Sequence, residues 1–85
     1  MSVIYTASID ERLVITVDKA DRDARVAQAR KLGKTVEDIS RHDLSSMDVD
    51  ELTGWDNLTG SRDVDTSPAA ARAIKEAMED AEEGF

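Results

Sequence analysis

A single histidine, His42, stands between Arg41 and Asp43 in a chain of 85 residues that carries 19 acids. Histidine becomes a general base when a carboxylate orients its ring. Asp43 is its neighbour in sequence, and neighbours on a helix do not face each other, so His42 reads as a surface or helix-end residue. Asp48, Asp50, Glu51, Asp56, Asp63 and Asp65 are hard oxygen ligands of the kind calcium takes. An EF-hand loop needs glycine at its sixth place and glutamate at its twelfth. Counted from Asp48, those places hold Thr53 and Thr59; counted from Asp63, the sixth holds Pro68. Both frames fail. Gly54 and Gly60 are not followed by the lysine and hydroxyl of a phosphate loop. The absence of cysteine removes thiolate nucleophiles, zinc ribbons and disulfides. The expectation is therefore no enzyme and no cofactor, with a small enzyme or an irregular metal site ranked last among the readings.

What remains is charge. The net charge is −8 with a sequence pI near 4.4, and it is unevenly placed. Residues 1–33 hold six bases against five acids, residues 34–67 three against nine, and residues 68–85 two against five. A weakly basic front and a strongly acidic back suit different partners. A chain this short buries only about 60–65% of its unfolded surface, and aromatics are limited to Tyr5, Trp55 and Phe85. One small acidic domain spanning 1–85 is expected, without a deep internal cavity. No apolar run approaches the ~18 residues of a membrane span, and the N-terminus lacks the zones of a signal peptide. A cytoplasmic setting and no membrane partner are expected, with Asn57-Leu58-Thr59 a coincidental sequon.

The elements that must carry these charges can be read from periodicity. Residues 2–9 and 13–17 are rich in β-branched side chains and predict a hairpin. Pairing Ile9 with Leu13 across a three-residue turn gathers Val3, Tyr5, Ala7, Ile9, Leu13, Ile15 and Val17 on one face. Asp18 is a candidate N-cap for a helix over 19–32, striped by Ala20, Ala24 and Ala27, with Gly33 at its end. Thr35 to Asp38 resembles a capping box and predicts a short helix carrying Val36 and Ile39. A further short helix is expected within 45–54, capped by Ser46 and stopped by Gly54, then a loop from Trp55 of about 12 residues. Ser67 and Pro68 open a last helix, with Gly84 closing it. Its stripe of Ala70, Ala73, Ile74, Ala77, Met78 and Ala81 is to face inward, and Trp55 is to pack onto the domain. The predicted fold is α+β: an N-terminal β-hairpin packed by an alanine-striped helix, short middle helices and a capped C-terminal helix.

Arg12-Leu-Val-Ile-Thr-Val-Asp18, the helix after it, Gly33 and Thr35-Val-Glu-Asp-Ile39 resemble the ribbon-helix-helix DNA-binding family. That resemblance implies a dimer whose strand reads the major groove through Arg12, Val14 and Thr16, and an acidic C-terminal helix that binds a toxin. Arg22 and Arg25 fall where that family carries large apolar residues. The primary reading is different. Small acidic domains without cysteine resemble, in size and charge, virus-encoded inhibitors of nucleic-acid machinery such as DNA mimics and anti-CRISPR proteins. Carboxylates on a rigid body can imitate phosphates and be steered to a basic surface. The expected contact residues are Asp48, Asp50, Glu51, Asp56, Asp63, Asp65, Glu76, Glu79, Asp80 and Glu83. The expected partner is a basic protein, with no direct binding of nucleic acid. Arg22, Arg25 and Arg30 are the candidates within the chain to offset the acids of the last helix.

Overall fold

The computed structural model describes residues 2–83. They form an α+β fold around a mixed four-stranded sheet of order β3-β1-β2-β4. Strands β1 (Val3–Ile9) and β2 (Arg12–Thr16) make the N-terminal hairpin. Its turn is Asp10-Glu11, with φ of 49° and 68°. Two left-handed residues give a turn whose twist matches the strands it joins. The register is therefore Ile9↔Arg12, Ala7↔Val14 and Tyr5↔Thr16, not the three-residue pairing expected from the sequence. Tyr5, Ala7, Val14 and Thr16 share one face; Ile4, Thr6, Leu13 and Ile15 share the other. The physical reason is that helices cover both faces, so each alternate set must be buried. Thr6 and Thr16 are accordingly each only 2% exposed.

Helix α1 (Lys19–Lys31) covers the Tyr5 and Val14 face. Asp18 caps it, accepting from the Ala20 N–H at 2.9 Å. Its inward residues are Arg22, Val26 and Ala29, while the alanine stripe expected to pack (Ala20, Ala24, Ala27) is exposed. Beyond α1, Gly33 takes φ 75°. The Lys34 N–H then donates back to the Ala29 carbonyl at 2.9 Å, as in a glycine-terminated helix end.

Residues 36–43 correct the expected short helix: they form strand β3 (Val36–Asp43), antiparallel to β1. The β-branched Val36 and Ile39 suit a strand, and β1 would otherwise present a bare edge. The register shifts between Thr6 and Ser8. There Asp38, the supposed capping-box acid, takes φ 53° and makes a bulge. The ribbon-helix-helix arrangement is absent, because its second helix is this strand and β2 is paired on both edges.

A 3₁₀ turn (Leu44–Ser46) leads into α2 (Val49–Thr59), capped by Asp48 rather than Ser46 and continuing through Gly54. The expected loop is thus the second half of this helix together with β4 (Val64–Thr66), which runs parallel to β2. The Ser67 N–H donates to the Ile15 carbonyl at 3.0 Å, and its hydroxyl accepts from the Ala70 N–H at 3.2 Å. That contact starts α3 (Pro68–Glu83). Ala70 and Ile74 join Ile4, Ile15, Leu44 and Leu52 in the core, with Ala73, Ala77, Met78 and Ala81 packed around them. The inward stripe is the one read from the sequence. Its closing residue, Gly84, lies outside the described residues. Among the described residues no helix is long and apolar enough to cross a membrane.

Candidate partner-binding surface

The sheet separates two helical layers of opposite charge. On one side α1 holds Lys19, Arg22, Arg25, Arg30 and Lys31 against Asp21 and Asp23. On the other, α2 and its cap hold Asp48, Asp50, Glu51 and Asp56 with no base. Beside it, α3 sets Glu76, Glu79, Asp80, Glu82 and Glu83 against Arg72 and Lys75. Ala77, Asp80 and Ala81 of α3 line one shallow cleft with Met47 and Leu52. The acidic end of α3 therefore meets the start of α2, where Asp48, Asp50 and Glu51 stand.

These acids do not share one physical explanation. The Asp48 carboxylate accepts from the Glu51 N–H at 2.9 Å, and Asp50 and Glu51 occupy the first turn of α2. Negative charge is favourable at all three places because the helix N-terminus carries a partial positive charge. The acids of α3 crowd the opposite kind of end, where the dipole disfavours them. The three ion pairs seen among the described residues all lie elsewhere: Arg22–Asp23, Arg25–Asp21 and Arg25–Asp65. The expectation that Arg22, Arg25 and Arg30 offset the α3 acids is corrected, since α1 lies across the sheet from them.

Two expected contact residues sit apart from this surface. Asp65 projects to the α1 side, where Arg25 Nη1 donates to it at 2.9 Å. Asp63 lies beside the hairpin turn, lining a shallow depression with Asp10, Glu11 and Arg12. Neither displacement can be read without knowing that 64–66 is a strand parallel to β2.

The histidine resolves differently from either simple picture. Its ring is half-buried on the Ile4 side of β3, 4.9 Å from the Trp55 ring at an interplanar angle of 52°. Trp55 packs against the core from α2, which fixes the helix to the sheet. Asp43 does not orient His42; it accepts from the Ser45 N–H at 3.0 Å and the Ser45 hydroxyl at 2.7 Å. Those hydrogen bonds, led by the Ser45 hydroxyl, hold its pKa below the ordinary carboxylate value, helped by Ser46 and Arg41. Gly33-Lys34-Thr35 ends like a phosphate-loop signature, yet it follows a helix and precedes a strand, the reverse of the required order. Among the described residues no group of three or more His, Asp or Glu is placed to hold a metal ion.

Comparisons with protein-family models, with curated proteins and with solved structures gave no match. The surface is read from its own geometry.

Proposed function

We propose that this chain is a non-catalytic, acidic protein-binding domain whose α2–α3 surface engages a basic, nucleic-acid-handling partner inside the cell and inhibits it. The observation that carries this reading is the acidic end of α3, where like charges accumulate against their own helix dipole without an ion-paired cation among the described residues. Acidity needed only for solubility is spread without such a local penalty. A surface aimed at a basic groove concentrates it. Asp48, Asp50, Glu51, Asp56, Glu76, Glu79, Asp80 and Glu83 form the contact face in this reading. The likeness to virus-encoded DNA mimics and anti-CRISPR proteins is one of size and charge.

The test uses the intact chain immobilised against the heparin-binding protein fraction of a cell extract. Wild type should retain proteins that both salt and duplex DNA release, because exposed charges are screened within about 8–10 Å at physiological ionic strength. A variant carrying Asp50→Lys, Glu51→Lys, Glu79→Lys and Glu83→Lys should retain none of them. Equal retention by the variant, or retention indifferent to salt, would sink the reading. A duplex retained by the chain itself in a low-salt gel shift would overturn the reading, because a mimic of nucleic acid does not bind it.

A further inference from the structure

On the side of the sheet away from the acidic surface, a groove of about 510 Å³ opens between α1 and the hairpin end. Ile9, Val14, Ala24, Ala29 and Leu32 supply its apolar wall, with Arg12, Arg25 and Lys34 among the polar groups on its rim. Leu32, 62% exposed, completes that wall. Size and lining both fall in the range of small-molecule sites.

The cations of this groove are not equivalent. Arg25 is engaged by Asp21 and Asp65. Arg12 and Lys34 have no ion-pair partner among the described residues, and both belong to the same mouth. They are held there by a reciprocal clasp: the Asp10 N–H donates to the Thr35 carbonyl at 2.9 Å, and the Thr35 N–H donates to the Asp10 carboxylate at 3.0 Å. The clasp ties the hairpin turn to the segment after α1 and draws the Asp10 carboxylate, which keeps its charge, onto the Thr35 N–H. Arg12, which also borders the depression of Asp10, Glu11 and Asp63, and Lys34 then outnumber the one unpaired carboxylate of the groove, Asp10.

We propose that this groove is a binding site for an amphipathic carboxylate, its chain along Ile9, Val14, Ala24, Ala29 and Leu32 and its head group on Arg12 and Lys34. The occupant is a small molecule with one anionic end and one apolar end. Charge complementarity selects an anionic head group in a chain that is otherwise strongly acidic, and the exposed aliphatic wall selects the tail. The site is separate from the α2–α3 surface, so it stands or falls independently of the partner reading.

The probe is sodium dodecanoate below its micelle threshold, titrated into the ¹⁵N-labelled chain and followed by amide shifts. Saturable shifts at Ile9, Ala24, Leu32 and Lys34, with the α3 amides still, are expected. Acetate at the same concentrations should leave these amides unmoved. Replacing the head group with a neutral alcohol should weaken binding. Arg12→Gln with Lys34→Gln should weaken dodecanoate by about tenfold or more, since a hydrogen bond to a charged group contributes more than a neutral one. Both residues are exposed, and an unchanged spectrum away from the groove checks that the variant is folded. Unchanged affinity in that variant overturns the proposal. So do absent shifts, shifts spread over the whole chain, or equal binding of acetate.

Discussion

Replacing Glu83 with lysine at the end of α3 isolates the electrostatic argument in one side chain. On a helix, residues three and four apart are neighbours, so Glu83 faces Asp80 and Glu79. Each like pair costs about 0.2–0.5 kcal/mol, and each opposite pair returns a similar amount. Reversal converts both pairs, and Glu79 on the N-terminal side of the new lysine is the better orientation for an i,i+4 ion pair. The last turn adds about 0.3–1 kcal/mol for removing an anion from the negative end of the dipole and a similar amount for placing a cation there. A terminal residue frays, so the lower end of each range applies, and the sum is about 1.4 kcal/mol. At about 4–8 °C per kcal/mol for a domain of this size, Glu83→Lys should raise the melting temperature by roughly 6–11 °C at low ionic strength. Thermal melts by circular dichroism measure it, repeated in 1 M salt, where the screening length falls to about 3 Å and most of the gain should vanish. A flat or lowered melting temperature would refute the dipole argument, and a gain that persists in high salt would show that its origin is packing. The same substitution should weaken capture of the basic partner. A more stable protein that binds less well is the signature of a functional face, while solvating charge predicts only the first effect.

Other substitutions probe the scaffold. Gly54 sits mid-helix with open space where a Cβ would stand, so Gly54→Ala should stabilise the protein by about 0.5–1 kcal/mol in urea unfolding. Glu11 holds φ 68°, a conformation costing an L-residue about 1–2 kcal/mol; Glu11→Gly should recover part of it, and a loss of stability would show that its side chain matters more than its backbone. Arg22 is 6% exposed, donates to the Ser40 carbonyl at 2.8 Å and lies 5.4 Å from the Tyr5 ring centroid. Arg22→Met should cost roughly 2–3 kcal/mol through the abandoned carbonyl and lost cation–π contact, with a chemical-denaturation midpoint as the readout. The lowered pKa of Asp43 implies stability that is present above its unfolded value near 3.8 and is lost as pH falls through the lower folded value. Ser45→Ala should raise that pKa towards the ordinary range in a carboxyl-carbon NMR titration and flatten the acid limb of the stability curve.

The two ends of this fold are more legible in the sequence than its middle. Ser67-Pro68 and the Ala70 to Ala81 stripe specify α3 locally, through a cap and a 3.6-residue period. Asp18 and Gly33 bound α1 in the same way. The face that α1 buries escapes the pattern, because Arg22 is charged by type yet is satisfied inside by a β3 carbonyl and the Tyr5 ring. The hairpin register escapes it for a related reason: alternation alone implies one covered face, whereas helices lie on both. Val36 and Ile39 illustrate the general limit, since a capping-box pattern cannot distinguish a helical turn from a strand without knowing that β1 lacks a neighbour. The acidic end of α3 is legible from composition and caps alone. Its meeting with the start of α2, and the diversion of Asp65 to Arg25, depend on chain crossings that no local pattern records.

The parallel pairing of β2 with Val64–Thr66 also dictates the order in which this chain can complete itself. The strand that covers the outer edge of β2 comes about fifty residues after it in the chain. During synthesis Leu13 and Ile15 wait beside an unsatisfied row of backbone groups, the kind of edge that recruits stray strands. Closing so long a loop for a three-residue strand is entropically slow, and the Ser67 contact to Ile15 that seats β4 also begins α3. Strand closure and the start of α3 are thus coupled through Ser67. A chain stalled before Ser67 would leave its hairpin edge open to other nascent chains, so the aggregation hazard of that edge lasts until residues 64–67 have been made.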